Sequence, residues 1–302
     1  MALVAEEAAG ARALQLLVER GHDLVAVFTS ASHARSASSV AAKAKSLNVP
    51  LRDARDVRDA RTADWMREEG VQLLLNVHSL HIIDASVLAE PRSGAFNLHP
   101  GPLPERAGLD TPSWALYEGA SRYGVTLHRM TPSVDAGAIA FADSFDIHSD
   151  DTGISLMARC TRHGLRLVEQ LLEFAEQGEA IPAIPQDLTR RRWFRAGPPR
   201  GGRLNWHCPA RHVADFVRAC DYRPFASPWG FPRSRAGDTD LAILNAQVVD
   251  ETTHAPPGTV AHGDGVTVRV AAGDAWVRVE KVEVKGQALA AAEGIPQRIR
   301  LQ

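Results

Sequence analysis

The chain is 302 residues long, 45% apolar and 23% charged, with a formal net charge of −2. That length accommodates one large domain and a smaller one, and the near-neutral balance disfavours a broadly basic nucleic-acid binder. Cys160, Cys208 and Cys220 are widely spaced without a CxxC pattern, which fits a reducing cytoplasm and argues against a disulfide framework or a zinc ribbon.

The opening "MALVAEEAAG" has no basic segment ahead of an apolar one, so no signal peptide is expected, and no apolar run is long enough to span a bilayer. After a short apolar start at Leu3–Ala5, "AGARALQLLVERG" places Ala11, Leu14, Leu17 and Val18 on one helical face and stops at Gly21. "DLVAVFTS" predicts a buried strand, and "SSVAAKAKSLN" and "TADWMREEG" predict helices. "VQLLLNV", "SGAFNLH" and "GVTLHRM" predict further strands. Strands alternating with helices predict an α/β fold with a doubly wound, mostly parallel sheet, whose ligands bind at the C-terminal strand ends. "ISLMARCTRHGLRLVEQLLEFAEQG" is a long helix with Met157, Cys160, Gly164, Val168, Leu171 and Ala175 on one stripe.

Composition then shifts. Residues 181–203, "IPAIPQDLTRRRWFRAGPPRGGR", hold six arginines against one aspartate and read as an extended linker. The run Arg190–Arg192 within it reads as a solvated stretch. Residues 204–302 are charge-balanced. They begin with the helix "PARHVADFVRAC" and continue in short β patterns, "DLAILNAQVV", "GVTVRVAAGDAWVRVEKVEV" and "RIRLQ", with turns at 262–265 and 273–274. That predicts a small β-barrel-like (OB-like) domain. The expected organisation is therefore 1–180, a linker at 181–203, and 204–302.

The chain lacks GxGxxG after its first strand, GxxxxGK[ST] and GxSxG, so dinucleotide, P-loop and serine-elbow chemistry have no fingerprint. His78, His81, His99 and His128 invite a metal. However, His78 and His81 differ in strand parity and no cysteine or paired carboxylate accompanies them, so no metal site is expected.

The informative stretch is "GAFNLHPGPLP", residues 94–104. On a strand, Asn97 and His99 share a face and Phe96 and Leu98 share the other. Pro100, Pro102 and Pro104 then end the strand, leaving an amide and an imidazole at its C-terminal mouth. Asp135, in the turn "VDAG", is placed to orient the imidazole and, by stabilising the cation, to raise the pKa of His99. The Asn97 amide would donate to a developing oxyanion, and the His99 imidazolium would add positive charge and shuttle a proton. With no Ser, Cys or Lys beside the pair, direct acyl or one-carbon transfer, or hydrolysis, is the economical chemistry. The competing reading makes Asn97 a turn cap and His99 a satisfied core residue.

At these residues the chain resembles the folate-dependent formyltransferases, a group that includes methionyl-tRNA, glycinamide ribonucleotide, aminosugar and peptide-synthetase-associated enzymes. "NLHPGPLPERAG" is similar to that family's Asn-x-His strand and following loop, and "GVTLHRMTPSVDAGAIAFADSFDI" to its Asp-bearing loop. The resemblance covers nearly the whole chain. It implies a catalytic set of Asn97, His99 and Asp135 and a formyl donor, 10-formyltetrahydrofolate. The pterin would lie under "HSLHIID", at Leu80, His81, Ile82 and Ile83, held largely by main-chain groups of Leu80, Ile82 and Ile83, and by the loop of Val134 and Asp135. Ala5 stands where the family usually has Gly, and Thr111 replaces a Pro. Arg106, Gly108 and Arg129 are candidate acceptor contacts. The charge-neutral appended domain, and the absence of a basic Gly-rich insertion from "TSASHARSASSVAAKAKSLN", disfavour a tRNA acceptor. "AGLDTPSWALYEG" and "VRACDYRPFASPWGFP" resemble formyltransferase domains associated with peptide and polyketide synthases, and that resemblance implies a small-molecule or carrier-protein-tethered amine in natural-product biosynthesis as the acceptor. An aminosugar nucleotide, methionyl-tRNA, or water in a 10-formyltetrahydrofolate hydrolase remain alternatives.

Overall fold

The structure, a computed structural model, describes residues 1–30, 39–262, 264–296 and 299–302. Residues 31–38 of the stretch used to weigh a tRNA acceptor lie outside the described residues. So do Gly263 of the 262–265 turn and Arg298 of the last predicted strand. Ser38, the first residue of the second predicted helix, falls in the first of these gaps. The chain divides into two compact units. One comprises residues 1–108, 124–145 and 159–193; the other comprises 109–123, 146–158 and 194–302.

The first unit is built on a seven-stranded sheet. In chain order its strands are β1 (Ala2–Ala5), β2 (Ala26–Thr29), β3 (Leu51–Asp53), β4 (Leu73–Val77), β5 (Gly94–His99), β7 (Arg122–Arg129) and β8 (Ile139–Asp146). Their spatial order is β3-β2-β1-β4-β5-β7-β8. The pairs from β3 through β5 are parallel, and β7 runs antiparallel to β5. The order reverses between β1 and β4, the position where sheets of this kind open a crevice at their C-terminal strand ends.

Helices α1 (Glu7–Glu19), α2 (Val40–Ser46), α3 (Arg61–Glu68) and α4 (Ala85–Ala89) make the connections. α1 buries Ala9, Gly10, Ala11, Ala13, Leu14 and Leu17 and begins two residues before the predicted start. Ser39 caps α2 by accepting the Ala42 N–H at 3.1 Å, an interaction that satisfies one orphan donor of the first turn. All five residues of β4 are buried, which accounts for its unbroken apolar pattern. Burying a leucine such as Leu74 or Leu75 stabilises by roughly 1.5–3 kcal/mol. At the end of β1, Ala5 meets α1 at Gly10, where a Cβ would lie 2.8 Å from that of Ala5. The glycine that the close approach needs is thus on the helix.

The tiny β6 (Ala107–Gly108) pairs with β9 (Trp193–Phe194). In the second unit, α5 (Thr111–Tyr117) and α7 (Ala210–Ala219) carry Trp114, Tyr117 and Phe216, which pack edge-to-face with Trp229. α6 (Gly153–Gln177), the long predicted helix, has residues 153–158 in this unit and 159–177 in the first. An antiparallel sheet follows, of β10 (Arg233–Ala236), β11 (Thr239–Thr252), β12 (Val260–His262), β13 (Val268–Ala271), β14 (Ala275–Val284) and β15 (Gln287–Ala290). A one-turn α8 (Ala291–Gly294) comes after it. Near the C-terminus Leu301 bridges to Ala236 of β10, and Arg300 bridges to Thr259 just ahead of β12. One short segment thereby stitches both edges of the sheet, and the appendage is barrel-like as expected. No helix among the described residues is long and apolar enough to cross a membrane.

Candidate active site

The register of three adjacent strands builds the site. Asn76 of β4 pairs with Asn97 of β5, and Asn97 pairs with His128 of β7, so the three side chains stand in a row across the sheet. Their hydrogen bonds run in one direction. Asn76 Nδ2 donates to Asn97 Oδ1 at 3.0 Å and to the Ser79 carbonyl at 3.2 Å. Asn97 Nδ2 meets His128 Nε2 at 3.1 Å, and His128 Nδ1 meets the Arg129 carbonyl at 2.9 Å. A carbonyl only accepts, so the His128 proton is on Nδ1 and Nε2 accepts from Asn97. One N–H of the Asn97 amide is thereby spent and the other is left to point out of the row.

Two residues along β5, His99 is 4% exposed, and its Nε2 donates to the Arg106 carbonyl at 2.7 Å. Its other nitrogen, Nδ1, faces Asp135 Oδ1 at 3.7 Å, while His128 Nε2 lies 3.5 Å from the same oxygen. The second Asp135 oxygen accepts the Gly108 N–H at 2.9 Å. The proline-rich turn after His99 is pinned by Thr126, the residue that pairs with His99. Its hydroxyl accepts from the Leu103 N–H at 3.1 Å and donates to the Gly101 carbonyl at 2.9 Å.

Asp135 is 6% exposed and adopts a left-handed φ of 53°. Aspartate tolerates that region better than most residues, and the conformation aims the carboxylate back at the strands. Two residues on, Gly137 approaches the Arg129 carbonyl so closely that no Cβ fits, which explains the glycine of "VDAG".

The electrostatics correct one expectation. Burial pushes the His99 pKa below its ordinary 6.5, and this outweighs the opposing pull of Asp135 and of the Arg106 carbonyl. His99 is therefore a neutral proton acceptor near pH 7 rather than a standing imidazolium. Asp135 behaves oppositely. Burial acts to raise its pKa, but the charge that His99 carries when protonated, the nearby His128 and the Gly108 N–H together bring it down to about 2. The resting pair is a neutral imidazole beside a carboxylate, ready to take up one proton and become an ion pair.

The other predicted residues fall into three groups. Leu80 and Ile82 are 72% and 61% exposed on the loop between β4 and α4, Ile83 anchors that loop in the core, and Val134 is 40% exposed. At the end of β4 and in the loop after it, Asn76 Oδ1 and His81 Nδ1 are buried without a hydrogen-bond partner among the described residues. Exposed apolar side chains on the same strand-and-loop segment as orphaned polar atoms fit a flat heteroaromatic ligand with donors on its rim. His81 also contacts Ser30 Oγ at 3.3 Å, and that hydroxyl donates to the buried Glu6 at 2.6 Å. Gly108 and Arg106 reach the site through main-chain atoms, the N–H on Asp135 and the carbonyl on His99. Arg129 is turned the other way. It is one residue from His128 and so on the opposite face, where its guanidinium stacks on Phe96 at 4.9 Å. Its own side chain is thus occupied away from the Asn97 face.

His128 and Asn76 belong to the site, and Gln186 donates to the Asp135 carbonyl, although the sequence did not single them out for it. The parity of His128 with Thr126 was readable, but only the β5–β7 register shows that it lands on Asn97. Among the described residues no cluster of three or more His, Cys, Asp or Glu is arranged to hold a metal ion.

Residues 5–171 match the formyl transferase family, and residues 199–298 match the formyl transferase C-terminal domain. The chain belongs to the formyl transferase family. Among solved structures it is similar to HypX from Aquifex aeolicus in complex with tetrahydrofolic acid, with a TM-score of 0.67 and 19% identity. That match covers 97% of this chain but 46% of HypX. It is also similar to an N-formyltransferase from Helicobacter canadensis, solved with folinic acid and dTDP-3-aminofucose, with a TM-score of 0.71 and 13% identity over 92% of this chain and 98% of that one. WlaRD, a sugar 3N-formyl transferase solved with dTDP and 5-N-formyl-THF, gives a TM-score of 0.70 and 13% identity over 95% and 97% of the two chains. At these identities the likeness establishes the shared formyl transferase fold.

Proposed function

We propose that this formyl transferase moves the formyl group of 10-formyltetrahydrofolate to a primary amine, with Asn97, His99 and Asp135 as catalytic residues in the 1–180 portion. The observation that carries the reading is the neutral, buried His99 with one nitrogen committed to the Arg106 carbonyl and the other facing an ionised Asp135. An amine attacking a formyl carbon must lose a proton, and a neutral imidazole backed by a carboxylate is suited to accept it. The free N–H of the Asn97 amide, held by Asn76 and His128, is placed to donate to the oxygen that gains charge. Because the donor amide is fixed beforehand, no reorganisation is required during reaction.

The donor would lie against Leu80, Ile82 and Val134, with its polar rim over His81 and Asn76. When bound it supplies the activated formyl carbon; the protein supplies orientation and proton handling. The acceptor we favour is a small-molecule or carrier-tethered amine of natural-product assembly. A sugar-nucleotide amine is the second reading, supported by the likeness to two sugar-directed enzymes that are matched over nearly their full length. Against it, Arg129, one of two arginines available for a diphosphate, is stacked on Phe96.

The test is tetrahydrofolate release from 10-formyltetrahydrofolate in the presence of amino acids, carrier-bound aminoacyl groups, aminosugar nucleotides and methionyl-tRNA. Turnover that depends on one class of amine names the acceptor. Turnover equal without amine makes the protein a hydrolase, and no turnover refutes the catalytic assignment.

A further inference from the structure

The stretch from Gln186 to Arg192 reads from its sequence as solvated linker, yet the structure ties it to the catalytic loop. Gln186 Nε2 donates to the carbonyls of Asp135 at 3.1 Å and Gly137 at 2.6 Å. Arg191 Nη2 donates to the Val134 carbonyl at 2.6 Å, and its guanidinium lies 5.0 Å from the Trp193 ring. The same stretch grips the loop after β5. Arg190 pairs with Glu105, and the Arg192 carbonyl accepts the Ala107 N–H at 3.0 Å. Three carbonyls of one tight turn therefore point at two donors from a distant segment. The middle carbonyl belongs to the residue with the left-handed backbone. A non-glycine residue stays in that region only where its surroundings hold it.

We propose that Gln186, supported by Arg191, is a positioning residue that holds Asp135 in its left-handed conformation against His99. Gln186 acts through its nitrogen alone, since its Oε1 is buried with no hydrogen-bond partner among the described residues. It touches neither reacting group. Its effect travels through the Asp135 backbone to the carboxylate, and from there to the imidazole.

The groups that bear on the His99 ring are Asp135 at Nδ1, the Arg106 carbonyl at Nε2, and His128 and His78 at longer range. Of these, Asp135 is the largest influence favouring the protonated ring. Releasing the loop withdraws that influence, so the ring takes up its proton less readily and turnover falls. The turnover part of the inference rests on the formyl-transfer reading; the titration part does not.

The experiment is an NMR titration of the His99 imidazole, assigned with His99→Gln, in the wild-type protein, Gln186→Met, Asp135→Asn and the double variant. Gln186→Met keeps the side-chain volume and removes both donors. The expected result is that the His99 midpoint moves to lower pH in Gln186→Met, in the same direction as in Asp135→Asn, with no further movement in the double variant. Turnover is expected to fall about tenfold or more in kcat, the scale on which small misplacements act, with little change in KM for the amine. A midpoint unmoved in Gln186→Met but moved in Asp135→Asn overturns the proposal. A moved midpoint in a protein that turns over no amine supports it and refutes the formyl-transfer reading instead. Gln186→Asn, which keeps the amide on a shorter stem, gives a second and smaller displacement if Gln186→Met does not fold.

Discussion

Asp135→Asn removes one negative charge from between two imidazoles while keeping the side chain's size and an oxygen that can accept the Gly108 N–H. The structure sets the scale of the loss. The Asp135 pKa lies at about 2 against an ordinary 3.8. At about 1.4 kcal/mol per pH unit, this corresponds to about 2 kcal/mol of folded-state stability contributed by the charged form. The sign follows from the depression. The contribution is complete above the unfolded-chain value near pH 4 and disappears as pH falls through about 2. Because part of that depression comes from a charged His99, which is neutral at pH 7, urea unfolding of the wild type and the variant should differ by less than about 2 kcal/mol at pH 7, and the difference should shrink further as pH falls from about 4 towards 2. Turnover of the variant should fall by roughly 100-fold or more, since the proton accepted by His99 loses its counter-charge. No difference anywhere between pH 4 and 7, or a difference that persists undiminished near pH 2, refutes the assignment of Asp135 as the ionised partner of the imidazoles.

Three further outcomes are expected. Asn97→Ala should lower kcat by roughly 100- to 1000-fold, the usual cost of one oxyanion donor, while folate still binds in a fluorescence titration. Because burial holds the His99 pKa below 6.5, activity should survive to lower pH than for an ordinary histidine and be lost as pH drops through that depressed value. An NMR titration of the His99 imidazole with a midpoint above 6.5 contradicts the neutral-base reading. Leu80→Asp and Ile82→Asp, both at exposed positions, should raise KM for the formyl donor with kcat nearly unchanged, and steady-state kinetics at varied donor concentration will show whether they do.

Much of this fold is legible because local and long-range demands agree. The unbroken run in β4 is buried on both faces, and the prolines after His99 end β5 where a crevice is needed. Asn97, His99 and Asp135 are also legible, since strand parity and a turn are local properties. The charge state of His99 is not. It depends on how completely the ring is buried, and strand parity and turn position carry no measure of that desolvation. Arg129 fails for a related reason. Its neighbour His128 faces the site, so parity sends the arginine to Phe96. The linker is hidden more deeply, because Gln186 acts on residues about fifty positions earlier in the chain and nothing in its composition announces a partner.

The row of Asn76, Asn97 and His128 shows what register adds to composition. Each residue is unremarkable alone: an amide in a buried strand, an amide near a strand end, a histidine in a third strand. Parallel pairing of β4 with β5 and antiparallel pairing of β5 with β7 bring them side by side, and a fixed donor order then follows from the Arg129 carbonyl. A carbonyl cannot donate, so His128 must, and Asn97 is left with its oxygen turned to Asn76 and its nitrogen to His128. Reversing the Asn97 amide would set its oxygen against the lone pair of His128 and its N–H against the N–H of Asn76. The orientation that leaves an N–H available to a developing oxyanion is thus imposed from both sides, by residues that need never touch the substrate.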